Sequence, residues 1–302
     1  MRPKKPTIFV KPDGSTFTIT SVHGLLGFGL TGIVLRQGNN ALKIPRVQVT
    51  TDLSDDARYY AEYNNEMNIE QMENEKRIYE RLGSYVGVVP CFKISTDGIE
   101  MAYIKNGPLD RYLKNHQQEE DALKADWLRS LVDTLCYIHR RRVFVNDIAL
   151  RNILVDDDLS LHFVDFGHSS LMPLDFDTSE LPSHEQVASS GSLSTTTTSK
   201  DECGNSAIHM DIFHLAFAMY SIVVWDKHEY NLYHQTATRM PSDECSNKSL
   251  MPKWPSFKDL PNTEGALCGD IILKCWMREY RSIEEVRDEI YMALSQLQRS
   301  SR

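Results

Sequence analysis

The sequence has little that is typical of an exported or disulfide-bonded protein. Its longest apolar run, residues 215–225, is shorter than the roughly 20 residues that cross a bilayer, and it predicts a buried core helix. No close paired spacing occurs among the six cysteines, which are Cys91, Cys136, Cys203, Cys245, Cys268 and Cys275. We therefore expect reduced thiols, no disulfide or structural metal, no membrane partner and a cytoplasmic or nuclear location.

Positive charge is also scarce. The chain has 42 acidic and 33 basic residues and a net charge of −9 at pH 7, whereas proteins that bind nucleic acid usually present a basic face. We therefore expect no nucleic-acid partner. The 302 residues are 41% hydrophobic, which is enough to bury a full core in one large domain or in two coupled lobes.

Strand patterns come early in the chain and helix patterns come late. Residues 38–40 separate two apolar runs and predict a hairpin within residues 15–45. Apolar residues at helical spacing predict a helix over 55–82. The other predicted elements are strands over 86–95 and 98–104 and a helix over 109–139. This order predicts an α+β fold with a small β-rich lobe, a larger helical lobe and a crossing near 102–107.

Residues 171–208 form a polar stretch that is rich in serine and threonine. Such a stretch cannot bury enough apolar surface to order itself, so we expect a mobile loop. Within it, residues 189–199 are interpreted either as a disordered spacer or as acceptors of phosphate from the domain itself.

Gly27, Gly29 and Gly32 form a G-x-G-x-x-G-x-V loop, in which missing side chains let backbone N–H groups approach phosphates closely. Taken alone, the three glycines also fit an ordinary hairpin. A dinucleotide-binding fingerprint needs a helix directly after the glycines. Two predicted strands follow here instead, so the loop is not of that type.

Lys43 lies on the second strand after the glycine loop, where its ammonium could reach phosphates beneath the glycines. Glu75 falls near the apolar stripe of the predicted helix, three residues after Met72 and three before Ile78. An ion pair with Lys43 would satisfy both groups. The alternative is a solvated glutamate and a lysine that faces water.

The most specific stretch places four polar groups around one predicted hairpin. Antiparallel pairing across the turn at 156–158 brings Asn152 and Asp165 side by side, and oxygen ligands of this kind suit Mg²⁺. Asp147 lies on the entering loop, where a carboxylate could accept the proton of an attacking hydroxyl. Arg151 supplies positive charge nearby.

In this order the features resemble the signature set of protein kinases, from about residue 15 to residue 298. The matching residues are the glycine loop, Lys43, Glu75, Asp147 with Asn152, and Asp165-Phe166-Gly167. The resemblance implies a bilobal protein-kinase-like fold that uses ATP and Mg²⁺ and acts on a protein substrate. Lys43 would then hold the α- and β-phosphates and pair with Glu75. Asp147 would be the catalytic base, and Asn152 and Asp165 would bind magnesium.

The resemblance also implies nucleotide contacts and a lobe organisation. The adenine site would comprise Val34, Ala41, Leu154, the gatekeeper Met101 and the hinge residues Ala102, Tyr103 and Ile104. Asp211 would hold the backbone of the catalytic loop. The implied organisation is a tail over 1–14, an N-lobe over 15–104, a C-lobe over 105–298 with an activation segment over 168–207, and a tail over 299–302.

Several positions depart from the family pattern. Val145-Asn146 replaces the usual His-Arg, and since that arginine normally reads a phosphorylated activation segment, we predict activity that does not depend on such phosphorylation. No Ala-Pro-Glu motif closes the segment, and residues 274–281 depart from the spacing of the arginine with which it usually pairs. These two departures leave the docking of a protein substrate open.

The acceptor hydroxyl also stays open. Ala149 replaces the lysine that is usual in serine/threonine kinases, while Arg151 is placed as in many tyrosine kinases. We favour serine or threonine over tyrosine. The pattern over 252–276 is similar to divergent kinase-like proteins of filamentous fungi.

Three other functions compete with protein kinase activity. A pseudokinase scaffold would share the fold and bind nucleotide without catalysis, although the residues that the chemistry needs are all present. A small-molecule kinase related to aminoglycoside or choline phosphotransferases would share the D-x-x-x-x-N loop but would not predict the Asp-Phe-Gly. An interaction module explains neither the glycine loop nor the polar cluster.

Overall fold

The computed structural model describes residues 7–175, 200–232 and 253–300, without the side chains of 200–206 and 300. The serine- and threonine-rich tract over 189–199 and most of the loop predicted over 171–208 lie outside these residues. Cys203 and Cys245 also fall on side chains that are not described. The described cysteines, Cys91, Cys136, Cys268 and Cys275, are free thiols.

Most of the described strands precede residue 109 and all but one of the described helices begin there or later, in line with the predicted order. The strands are β1 (Phe9–Val10), β2 (Thr16–Phe17), β3 (Leu25–Phe28), β4 (Gly32–Gln37), β5 (Asn40–Pro45), β6 (Val47–Gln48), β7 (Cys91–Ser95), β8 (Gly98–Ala102), β9 (Gly107–Pro108), β10 (Val143–Phe144), β11 (Ile153–Val155), β12 (Leu161–Phe163) and β13 (Ser170–Leu171). The helices are α1 (Asp55–Leu82), α2 (Leu109–Asn115), α3 (Asp121–Arg140), α4 (Lys200–Val224), α5 (Gly269–Trp276) and α6 (Ile283–Ser300).

The N-terminal region is built on a five-stranded antiparallel sheet in the order β3-β4-β5-β8-β7. The predicted hairpin is β4–β5, in which Gln37 pairs with Asn40. Gly38 lies in the turn with φ 61°, a conformation that glycine adopts without strain. Helix α1 spans the predicted residues 55–82 and packs on β5, β6 and β8.

The C-terminal region is helical and packs around α3 and α4. The buried face of α3 recurs at helical spacing through Trp127, Leu131, Leu135 and Ile138. Helix α6 packs against α3, and α5 packs against α4. One continuous apolar core joins these helices to α1 and β8. The chain is therefore an α+β protein with a β-rich N-terminal region and a helical C-terminal region.

Three predicted elements differ from the structure. The helix predicted over 109–139 is two helices, because the polar residues His116 to Glu120 offer no apolar side chain to bury and the backbone turns extended at His116. The strand predicted over 86–95 begins only at Cys91, after Pro90, which has no N–H to donate to a ladder. The loop predicted over 171–208 ends earlier, because α4 begins at Lys200.

Helix α4 contains the apolar run that was predicted to be a core helix. Among the described residues, its segment Ala207–Val224 is long and apolar enough to cross a membrane, but 83% of this segment is buried inside the protein. Its neighbours include Trp254 and Trp276, whose rings lie 5.2 Å from Phe213 and 4.7 Å from Phe217. The helix therefore forms the centre of the C-terminal region.

Candidate active site

A cluster of three charges, of which Lys43 and Glu75 are buried, lies between the two regions. The ammonium of Lys43 on β5 lies 2.6 Å from Glu75 Oε2 of α1 and 2.7 Å from Asp165 Oδ1, which follows β12. Lys43 is only 4% exposed and Glu75 only 1%. The cluster therefore joins three parts of the chain that are distant in sequence.

The electrostatics of the cluster favour an ionised lysine. Burial by itself would lower the pKa of Lys43, but the charges of Glu75 and Asp165 outweigh it and raise that pKa above its ordinary value. Burial would likewise raise the pKa of Asp165, yet the nearby Lys43 ammonium holds it below its ordinary value. The site thus presents a fixed cation beside an anionic carboxylate that is partly open to solvent.

Helix α1 also holds the start of the segment after β12. The backbone N–H of Phe166 donates to Glu75 Oε1 at 3.3 Å. Asn74 Nδ2 donates to the carbonyls of Gly167 and Ser169, at 3.2 and 2.8 Å. The Tyr79 ring meets the edge of Phe166 at 5.4 Å. Two adjacent α1 residues therefore fix both the lysine and the backbone around Asp165.

The glycine loop covers this cluster from the β3–β4 turn. A Cβ atom at Gly32 would lie 2.9 Å from Lys43 Cε, so a side chain there would collide with the lysine stem. The tip of the loop is tied down by Arg46, whose Nη1 donates to the carbonyls of Gly29 and Leu30 at 3.1 and 3.2 Å. Gly32 is therefore needed for packing against Lys43.

The predicted adenine-site residues line the adjoining part of the sheet and the connection to the C-terminal region. Ala41 on β5 pairs with Met101 on β8, and both are buried. Val34 lies opposite Lys43 on β4, and Leu154 lies on β11. The chain leaves β8 at Ala102 and passes through Tyr103, whose ring lies 4.2 Å from the Arg36 guanidinium, and buried Ile104.

The loop before β11 presents Asp147 with two neighbours on its carboxylate. Arg151 Nη2 donates to both oxygens, at 2.6 and 2.8 Å. Asn152 Nδ2 donates to Oδ2 and to the Asp147 carbonyl, both at 3.0 Å. The loop thus holds one half-exposed carboxylate in a fixed position beside a flanking cation.

Asp211 of α4 binds the backbone of this loop. It is fully buried, and its carboxylate accepts the backbone N–H groups of Val145 and Asn146, each at 2.7 Å. His139 Nε2 lies 2.9 Å from the same carboxylate. Asn146 adopts φ 62°, a left-handed conformation that asparagine tolerates better than most residues. The bonds to Asp211 stabilise this backbone.

The Asn146 side chain contacts the segment that follows β12. Its Nδ2 donates to the His168 carbonyl at 3.1 Å and to Ser170 Oγ at 2.8 Å. Ser169 Oγ donates to the Val145 carbonyl at 3.1 Å. The residue that replaces the expected arginine therefore fastens this segment directly, through neutral hydrogen bonds.

Two oxygen-bearing side chains fit a magnesium site. The Asn152 amide nitrogen bonds Asp147, so the amide oxygen of Asn152 points away from Asp147. Asp165 bonds Lys43 through Oδ1 and has a second carboxylate oxygen, Oδ2. The backbone of Val164 donates to the Asn152 carbonyl at 3.0 Å, which places the two residues on neighbouring segments. Among the described residues, no group of three or more His, Cys, Asp or Glu side chains is placed so that it could hold a metal ion by itself. Such a pair suits Mg²⁺ held jointly with phosphates.

Some residues of the site were not identified from the sequence. Asn74 and His139 lie on helices predicted from apolar spacing, and their position beside the buried stripe was the available signal. Arg46 follows β5 directly and gives no pattern of its own. A contact between a loop and a distant strand, such as that of Asn146 with Ser170 on β13, has no local sequence signal.

The fold and this geometry define a protein kinase domain, the ATP-dependent phosphotransferase module. Residues 21–279 match the family model of the protein kinase domain, and the chain belongs to this family.

Curated relatives support the same family over short stretches. The chain is 33% identical over 73 residues to an Aurora kinase of Candida glabrata, covering 24% of this chain and 20% of the relative. It is 26% identical over 96 residues to serine/threonine-protein kinase PDK1 of Cryptococcus neoformans, covering 30% and 8%. Identity to the human NUAK family SNF1-like kinase 2 is 34% over 73 residues, covering 24% and 12%. The chain thus spans at most a fifth of these relatives. The narrower similarity to kinase-like proteins of filamentous fungi stays a prediction.

Removal of the Glu75 carboxylate tests the buried cluster. Glu75→Ala leaves Lys43 with one anion instead of two and leaves the Phe166 N–H without its acceptor. We expect the free energy of unfolding in urea to fall by about 3–5 kcal/mol. Glu80→Ala, at an exposed position on the same helix, should cost less than about 0.5 kcal/mol. Equal losses in the two variants would contradict the cluster.

Proposed function

We propose that the domain transfers the γ-phosphoryl group of Mg·ATP to a hydroxyl of a protein substrate. The observation that carries the proposal is the position of the Lys43 ammonium. It lies between Glu75 and Asp165 and directly behind Gly32 of the glycine loop. A buried cation with one open carboxylate beside it is suited to phosphates that arrive with a metal ion.

Each site residue has a role in this proposal. Lys43 binds the α- and β-phosphates and is held for that purpose by Glu75. Asn152 and Asp165 hold magnesium, which neutralises phosphate charge and orients the phosphates when it is bound. Gly27 and Gly29 let the backbone of the loop approach the phosphates.

In the same proposal, the adenine base binds between the five-stranded sheet and β11. Val34 and Ala41 cover one face of the base and Leu154 the other. Met101 limits the depth of the pocket, and the backbone of Ala102, Tyr103 and Ile104 bonds the base edge. The lobes would then be residues 15–104 and 105–298, with the base bound where they meet.

Asp147 is the proposed catalytic base. Its carboxylate is half-exposed and held by Asn152 and Arg151, so it can take the proton of an incoming hydroxyl without reorganising. Arg151 lies where it can also offset charge on the transferred group. Through Val145 and Asn146, Asp211 keeps the loop backbone in place during transfer.

Serine and threonine are the proposed acceptors. The relative from Cryptococcus neoformans is a serine/threonine-protein kinase, which supports this choice. Ala149 and Arg151 resemble tyrosine kinases instead, so identification of the labelled amino acid decides the point. A cytoplasmic or nuclear location stays a prediction.

Replacement of Asp147 tests the proposed base. With Asp147→Asn, we expect transfer of labelled γ-phosphate to generic Ser, Thr and Tyr substrates to fall by about 10²–10⁴-fold, because general-base catalysis is lost. ATP affinity should change little. Asp157→Asn, an exposed control on the β11–β12 turn, should retain activity. Absence of transfer in the parent protein with ATP binding intact would favour a scaffold, or a small-molecule kinase if metabolites are phosphorylated.

Phosphatase treatment tests the role of Asn146. Because its side chain fastens His168 and Ser170 directly, activity should survive removal of phosphate from residues 168–207. Asn146→Ala, which removes these bonds, should lower the transfer rate even after phosphatase treatment. Mass spectrometry verifies removal of phosphate. A large loss of activity on dephosphorylation of the parent protein would refute this role.

A further inference from the structure

The N-terminal half of α1 exposes several large aromatic and apolar side chains to solvent. Tyr59, Tyr60 and Tyr63 are 69%, 65% and 55% exposed, and Met67 is 36% exposed. The buried residues of α1 after Ala61 are concentrated from Asn68 onward, where the helix contacts the sheet and the segment after β12. Exposed aromatic side chains grouped in this way are typical of a surface that binds another molecule.

These side chains form one continuous face. Tyr59, Tyr63, Glu66 and Glu70 recur at intervals of four, three and four residues, so they lie along one side of the helix. Tyr60 and Met67 flank this stripe seven residues apart. We call these six residues the α1 docking face.

The opposite side of the helix is attached to the N-terminal region. Asn65 bonds the backbone of Gln48 in both directions, at 2.8 and 2.9 Å. Asn68 Nδ2 donates to the Arg46 carbonyl at 2.8 Å. These contacts fix the rotation of α1 about its axis, so the docking face points away from the sheet.

The charge on this part of α1 is strongly of one sign. Between residues 55 and 73 the acidic residues are Asp55, Asp56, Glu62, Glu66, Glu70 and Glu73, and the one basic residue is Arg58. Arg58 Nη2 donates to the Leu53 carbonyl at 3.3 Å. The exposed aromatic rings are therefore surrounded by negative charge.

We propose that the α1 docking face binds an arginine-rich segment of a partner protein. Guanidinium groups stack on tyrosine rings and pair with carboxylates. The face offers tyrosine rings near the start of the helix and the carboxylates of Glu66 and Glu70 further along the same side. Tyr59 and Tyr60 already meet edge to ring at 5.6 Å, which gives a preformed aromatic platform.

Charge argues against two other occupants. The chain's own stretch 171–208 contains Asp175, Asp177, Glu180 and Glu185 before its one lysine, Lys200, so it is not complementary to an acidic face. A second copy paired through the same face would bring like charges together. A basic partner is complementary to the face without such repulsion.

The docking face lies on the helix that also supports the proposed active site. The same helix carries Asn74 and Glu75, which hold Lys43 and the backbone around Asp165.

The test uses the full chain and a short fluorescein-labelled peptide that repeats Arg-Leu-Arg-Gly, with binding followed by fluorescence anisotropy. We expect Glu66→Gln with Glu70→Gln, and separately Tyr59→Ser with Tyr63→Ser, to weaken binding by about 10-fold each. The matched control is Glu264→Gln with Asp270→Asn, which removes the same charge from exposed positions in the C-terminal region. It should alter binding by less than about 2-fold.

Circular dichroism checks that each variant keeps its helix. Equal weakening in the control would mean that net charge alone holds the peptide, and unchanged binding in either α1 variant would also overturn the proposal. If sedimentation shows a dimer of the parent protein and monomers of the α1 variants, the face binds a second copy of the chain, and the docking proposal is overturned as well.

The experiments distinguish a failure of the docking proposal from a failure of the proposed function. Asp147→Asn should bind the peptide as well as the parent protein does, since the docking face lies outside the catalytic loop. Peptide binding without any phosphoryl transfer would refute the kinase function and leave the docking face intact. Transfer without face-dependent binding would refute the docking face alone.

Discussion

The ion cluster of Lys43, Glu75 and Asp165 constrains the rest of the protein. Taking the charges of Lys43 and Glu75 out of water is costly, and the cost is offset only while they remain paired with each other and with the partly exposed Asp165. Strand β5, helix α1 and the segment after β12 must therefore hold fixed positions relative to one another. Packing of Tyr79 against Phe166 and the missing side chain at Gly32 serve the same arrangement. The site that would receive phosphates is thus also a structural link between the two regions.

A second buried carboxylate organises the loop on the other side of the site. Asp211 binds two consecutive backbone N–H groups, and its neighbour His139 comes from α3. Asn146 extends this anchor to His168 and Ser170. The loop and the segment after β12 are therefore joined by hydrogen bonds already present in the chain, without an added phosphate. This arrangement accounts for the tolerance of an asparagine at a position where the family usually has arginine.

Sequence periodicity predicted the elements whose pattern is local. The β4–β5 hairpin follows from two apolar runs around Gly38, and α1 follows from its buried stripe. The helical spacing of apolar residues continues on both sides of His116, so two helices were predicted as one. The helix ends there because the polar residues that follow have no apolar side chain to bury. Motif spacing predicted which site residues come together. Hydrogen bonds between a helix and a distant segment, such as that of Asn74 with the Ser169 carbonyl, depend on tertiary placement and leave no local signal.

The central claim is that the Lys43 cluster is a binding site for nucleotide phosphates. Calorimetric titration of Mg·ATP into the parent protein and into Lys43→Met tests it most directly, with Lys93→Met, an exposed lysine on β7, as the control. The account predicts that binding weakens by about 10- to 100-fold in Lys43→Met, as expected for loss of a charged hydrogen-bond donor, and is unchanged in Lys93→Met. Equal Mg·ATP affinity in all three proteins would contradict it.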